Sequence, residues 1–131
     1  YYSDYVLSQI YTYAKEHINL QAMLYFADHG TVPNGRRNPD MNPFAANRIP
    51  MFVYLSPEYQ ALYPQTTAAL KHNEAKYFTN DLVYDMVCGL LNIQSNRYDE
   101  TQSIASDKYK FTRETLKTNL GTTPLTDDKG E

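Results

Sequence analysis

Asp28-His29-Gly30 is the stretch of this sequence whose residue types and spacing best suit chemistry. A carboxylate and an imidazole side by side on a turn can reach one cation together, and glycine permits the sharp backbone path this requires. Oxygen plus nitrogen ligation suits zinc, with manganese or another divalent cation also within the range of such a donor set. A bare Asp-His-Gly is equally a turn whose Asp accepts a hydrogen bond from a backbone amide. Position weighs for the metal. The triplet closes the apolar run Ala22-Met23-Leu24-Tyr25-Phe26-Ala27, and open α/β sheets place ligand sites at the carboxyl ends of their strands.

Other candidates carry less. Arg36, Arg37 and Arg48 flank the following apolar run, and guanidinium groups suit phosphate oxygens. His17 falls on an apolar row of the first helix and reads as a structural histidine. His72 reads as a helix-end residue, favoured there by the helix dipole. Asp4, Glu16, Asp40, Glu58 and Glu74 show no convergent spacing, and no Ser-His-Asp order or glycine-rich phosphate loop is present. The single cysteine, Cys88, excludes an internal disulfide or a Cys cluster and reads as a core thiol.

The elements that must position these residues follow from periodicity. Two adjoining apolar rows, Val6-Ile10-Tyr13-His17 and Leu7-Tyr11-Ala14-Ile18, predict a helix over Asp4 to Asn19. The run 22–27 lacks alternation and predicts a strand buried on both faces, as in a parallel sheet. Residues 30–47 are rich in Pro, Asn, Gly and Arg and predict a long loop. A second strand is expected over Ile49 to Leu55. Ser56-Pro57 then opens a helix that Pro64 breaks, with a further helical stretch over Gln65 to Lys71. Thr79 or Asn80 is expected to cap a helix with Leu82, Val83, Met86, Val87, Leu90 and Leu91 on its inner face, interrupted by Gly89. Beyond Ser95 the apolar anchors thin to Tyr98, Tyr109, Phe111, Leu116 and Leu120. Strands alternating with helices predict an α/β sheet covered by helices.

Composition bounds the rest. The 131 residues suffice for one ordinary domain. The hydrophobic share is 42%, yet 13 of those residues are tyrosines, so the core must lean on rings whose hydroxyls need partners when buried. A net charge of −3 argues against a nucleic-acid partner bound through phosphates. No apolar run approaches the roughly 18 residues of a membrane span. The chain begins with Tyr rather than Met, and its two strands are too few for a stable parallel sheet; both features suggest a piece of a longer domain.

Met23-Leu24-Tyr25-Phe26-Ala27-Asp28-His29-Gly30 resembles the strand and metal-ligand motif of the alkaline phosphatase/sulfatase superfamily. Arg48-Ile49-Pro50-Met51-Phe52-Val53-Tyr54-Leu55-Ser56 resembles the family's next strand. Asn80-Asp81-Leu82 through Gly89-Leu90-Leu91-Asn92-Ile93 resembles the helix after it, and Tyr98-Asp99 matches the Tyr-Asp that follows. With the first helix, these segments make roughly residues 1–105 most similar to the lipid-dependent phosphoethanolamine transferases.

The resemblance implies a partial alkaline-phosphatase-like sandwich, with at least two strands of a central sheet and flanking helices. Residues 1–105 would form the C-terminal portion of a catalytic domain, and residues 106–131 a polar tail. Asp28 and His29 would be two of the zinc ligands. No catalytic residue would lie in this chain, because the family's Thr nucleophile and an acidic ligand lie upstream. In the implied reaction that Thr attacks the phosphorus of phosphatidylethanolamine and diacylglycerol leaves. The phosphoethanolamine group then passes from Thr to lipid A or another envelope glycan. The setting implied is a periplasmic or cell-surface domain of a bacterial membrane protein, whose partners are the phospholipid donor, the glycan acceptor and the N-terminal half of the catalytic domain. The lone chain is expected to be inactive and to self-associate through open sheet edges. Thr31 stands where the family often has Glu, and no His lies between His29 and His72. Another superfamily hydrolase or glycerol-phosphate transferase, and a non-catalytic binding module, therefore stay open as alternatives.

Overall fold

The N-terminal apolar rows form helix α1 (Tyr2–His17) in the computed structural model, which describes residues 2–30 and 44–129. One row is the more buried, although its last residue Ile18 is exposed and Val6 of the other row is half-buried. Ala14 is buried, Leu7 and Tyr11 are half-buried, and Ile10, Tyr13 and His17 of the other row are exposed. The expectation of a buried structural His17 is therefore corrected: its imidazole lies in solvent against the Tyr13 ring, centroids 4.4 Å apart. Both rows are apolar enough to be the inner one, and periodicity alone does not choose. Packing does, because Tyr11 meets Tyr54 edge-on at 4.9 Å. Asn19, with φ of 50°, takes the left-handed conformation that stops the helix.

Strand β1 (Ala22–Phe26) pairs with β2 (Met51–Leu55) in an antiparallel ladder, from Ala22 opposite Leu55 to Phe26 opposite Met51. The parallel arrangement expected from the unbroken apolar run is thus corrected. One face of the pair packs on the core and the other carries the Tyr25, Phe52 and Tyr54 rings, but every residue of both strands is half-buried or exposed, so the expected burial on both faces is corrected as well. Leu24, Met51, Val53 and Leu55 pack on the main core. On the opposite face Tyr25 stacks on Phe52 at 5.3 Å and Tyr54 meets Tyr11 of α1.

Ser56 caps helix α2 (Pro57–Leu62) by accepting from the Tyr59 amide at 2.9 Å, with Pro57 at the first helical position. Pro64 ends that helix and opens α3 (Pro64–Asn73), because proline suits the first turn and not the interior. Helix α4 (Val83–Leu90) follows a 3-10 turn over Asn80–Leu82. Leu82, Met86 and Leu90, four residues apart, join Ile104, Ala105, Tyr109 and Leu116 in the core, whereas Leu91 is exposed. Gly89 admits the segment from Tyr98 to Ala105 against α4. Cys88 is buried, as a core thiol should be.

The C-terminal stretch folds back on this core. Tyr109 and Leu116 are buried, while Leu120 is 89% exposed beside Gly121 at the turn between the short strands β3 (Lys117–Thr118) and β4 (Thr123–Pro124). Buried tyrosines find the partners their hydroxyls need: Tyr59 donates to the Leu90 carbonyl and Tyr109 to that of Tyr77, each at 2.6 Å. Among the described residues, the architecture is mixed α/β, with four α-helices and two small antiparallel two-stranded sheets.

Candidate metal centre

Strand β1 delivers Asp28 and His29 to a turn at its carboxyl end. Asp28 Oδ1 accepts from the His29 backbone amide at 3.0 Å, the local bond expected of an Asp in a turn. That bond occupies one carboxylate oxygen and leaves Oδ2, which lies 3.7 Å from His29 Nε2. His29 Nδ1 is 2.9 Å from the Gly30 carbonyl. A carbonyl only accepts, so this contact is a hydrogen bond in the tautomer protonated on Nδ1, and the neutral ring of that tautomer has its lone pair on Nε2. Metal-bound histidines commonly show this arrangement, one nitrogen held by an acceptor and the other turned to the metal.

The donor set fits zinc in kind and nearly in spacing. Bonds of about 2.0–2.1 Å at tetrahedral angles put two ligand atoms about 3.3 Å apart. Both side chains are open to solvent, 90% for Asp28 and 73% for His29, so small rotations suffice to close the gap from 3.7 Å. Two ligands are half of a structural zinc set. Among the described residues, no group of three or more His, Cys, Asp or Glu side chains could hold a metal.

Gly30 is needed for close approach rather than for a positive φ. Its amide donates to the Ala46 carbonyl, and an added Cβ would sit 3.0 Å from the Arg48 carbonyl oxygen and 3.2 Å from that of Ala46. The turn is thereby tied to the segment that leads into β2.

Arg36 and Arg37 lie outside the described residues. Arg48 Nη2 donates to both carboxylate oxygens of Asp128, at 2.9 and 3.1 Å, a charge-assisted contact through one guanidinium nitrogen. Asp128 is buried and the Arg48 side chain is 52% exposed, so this pair fixes the guanidinium in place at the protein surface. Both residues line a cleft of about 730 Å³ together with Asp28, Asn80, Asp81 and Lys76.

Two of these residues were missed by sequence reasoning. Asp128 sits in a polar stretch with no motif around it. Asn80 was expected as a possible helix cap, but neither Thr79 nor Asn80 caps a helix through its side chain. Instead Asn80 Nδ2 donates to the carbonyls of Ala27, at 2.9 Å, and Asp28, at 3.1 Å, more than fifty residues earlier. His72 is exposed in the last turn of α3, apart from this cleft and in line with its expected helix-end role.

No family model matches the chain, and no curated protein or solved structure matches it significantly.

Proposed function

We propose that the chain supplies two zinc ligands, Asp28 and His29, to a phosphoethanolamine transferase of the alkaline phosphatase/sulfatase superfamily, as the C-terminal portion of its catalytic domain. The observation that carries this reading is the placing of His29: Nδ1 lies 2.9 Å from the Gly30 carbonyl, which leaves Nε2, 3.7 Å from Asp28 Oδ2, as the ring nitrogen turned to a metal. The sequence resemblance supplies the reaction class. The β1–β2 pair, with one face packed on the core, is read as part of an alkaline-phosphatase-like sandwich.

Bound zinc would act as a Lewis acid toward a phosphoryl oxygen and would favour the ionised nucleophile. Asp28 would hold it through a carboxylate oxygen and His29 through Nε2, with the Gly30 carbonyl fixing the proton on Nδ1. The Thr nucleophile would come from upstream in the parent polypeptide. Phosphatidylethanolamine would be the donor and an envelope glycan or lipid A the acceptor, in an extracytoplasmic domain of a bacterial membrane protein. The cleft beside Asp28 offers room for a phosphoethanolamine group, with Lys76 on its wall.

The test is transfer from a fluorescent phosphatidylethanolamine by membranes that contain the parent polypeptide. Asp28→Ala and His29→Ala should each lower turnover about a hundredfold and lower the zinc content. Undiminished transfer in both variants would overturn the proposal. Release of sulfate from a sulfate ester in place of lipid turnover would assign the chain to the sulfatases.

A further inference from the structure

We infer that Asn80 is a positioning residue for the Asp28–His29 pair, an inference that rests on the metal reading above. Asp28 and His29 are mostly exposed and are not held in place by packing. Their direction is set by the backbone that carries them. That backbone has two anchors. One is the Gly30 amide on the Ala46 carbonyl; the other is Asn80, whose single amide group spends its donors on consecutive carbonyls, Ala27 and Asp28.

Asn80 is well placed for this. It opens the 3-10 turn that leads into α4, and the next residues, Leu82 and Met86, are locked into the core. Its neighbour Asp81 lines the same cleft but makes a different bond, accepting from the Leu120 amide at 2.9 Å. The Asn80 amide thus links the rigid core helix to the end of the strand that bears the ligands. Partners of this kind, one step removed from a metal, typically change its affinity by 10–100-fold. An aspartate at residue 80 has the same size and no donor, and it would set a carboxylate against two carbonyl oxygens.

Zinc titration of the full chain, followed by NMR on the His29 imidazole, tests this. Wild type, Asn80→Ala, Tyr84→Ala and Asp28→Ala are compared. Asn80→Ala should weaken zinc binding about tenfold or more. Tyr84→Ala, at an exposed side chain just beyond the turn and outside the cleft, should stay within about twofold, whereas a general loosening of the turn and helix would move both. Asp28→Ala should abolish the response. If Asp28→Ala abolishes binding while Asn80→Ala binds as wild type, the positioning role is overturned and the metal reading stands. If Asp28→Ala binds as wild type, both fall. Should Asn80→Ala fail to fold, Asn80→Asp is held to the same tenfold criterion.

Discussion

Gly89 and Ser103 approach so closely that a Cβ at residue 89 would lie 2.5 Å from Ser103 Oγ. Ser103 is fully buried, and the Ala105 Cβ and the Tyr98 hydroxyl would each stand 3.3 Å away, so a methyl group requires the Ser103 hydroxyl to shift within a tight core. Alanine is the better helix former by about 1 kcal/mol, but overpacking a tight core costs about 1–3 kcal/mol. Gly89→Ala is therefore expected to lose about 1 kcal/mol net, read from urea unfolding. A variant as stable as wild type would show that the 98–105 segment yields to α4.

Asp99, in the Tyr-Asp pair of the sequence, contributes stability that acid removes. The Thr101 hydroxyl, the Gln102 amide and the Thr101 backbone N–H all donate to its carboxylate, at 2.7, 3.1 and 2.9 Å, and hold its pKa down to about 2 from 3.8. A carboxylate with a depressed folded pKa stabilises in full above its unfolded value and loses that contribution as pH falls through the folded one. The side chain is 41% exposed, so solvent screening reduces its effect to about 1 kcal/mol. Asp99→Asn should be less stable by that amount at neutral pH, and the gap in urea midpoints should close as pH falls from about 4 to about 2. A gap that persists at the acid end would contradict this.

The outer edge of β2 should drive self-association. The Ser56 amide donates to Gln21 O, and together with the register this turns the Phe52 and Tyr54 backbone groups toward β1 and those of Met51 and Val53 outward. Among the described residues nothing pairs with these outward groups. They face a groove of about 620 Å³ that Leu70, Phe78 and Met86 also line. An open strand edge with apolar surroundings is a template for another chain. Sedimentation should show concentration-dependent dimers or larger species. Phe52→Lys, at a side chain 43% exposed, should weaken them by placing a charge on the edge. Association unchanged in this variant would place the contact elsewhere.

Local chemistry made much of the fold legible in the sequence. Ser56-Pro57 and Pro64 marked their helix starts because a cap and a proline at the first turn act within a few residues. The i, i+4 spacing of Leu82, Met86 and Leu90 marked α4. Periodicity could not say which row of α1 faces inward, since that depends on Tyr54, more than forty residues away. Strand direction was also hidden, because unbroken apolar runs look alike in parallel and antiparallel sheets. At the candidate site, Asp28 and His29 stood out as adjacent ligand types at a strand end. Asn80 did not, since its partners are backbone carbonyls, which leave no signature in residue identity.

The metal reading requires that His29 offer Nε2 to a metal beside Asp28. Long-range proton–nitrogen NMR of the His29 ring measures this directly. The expected metal-free result, at a pH where the ring is neutral, is a proton on Nδ1 and none on Nε2. Zinc should then shift Nε2 with an affinity weaker than about micromolar, because two ligands are half a set. Asp28→Ala should abolish that shift. A ring protonated on Nε2, or a His29 signal that zinc leaves unmoved, would contradict the account.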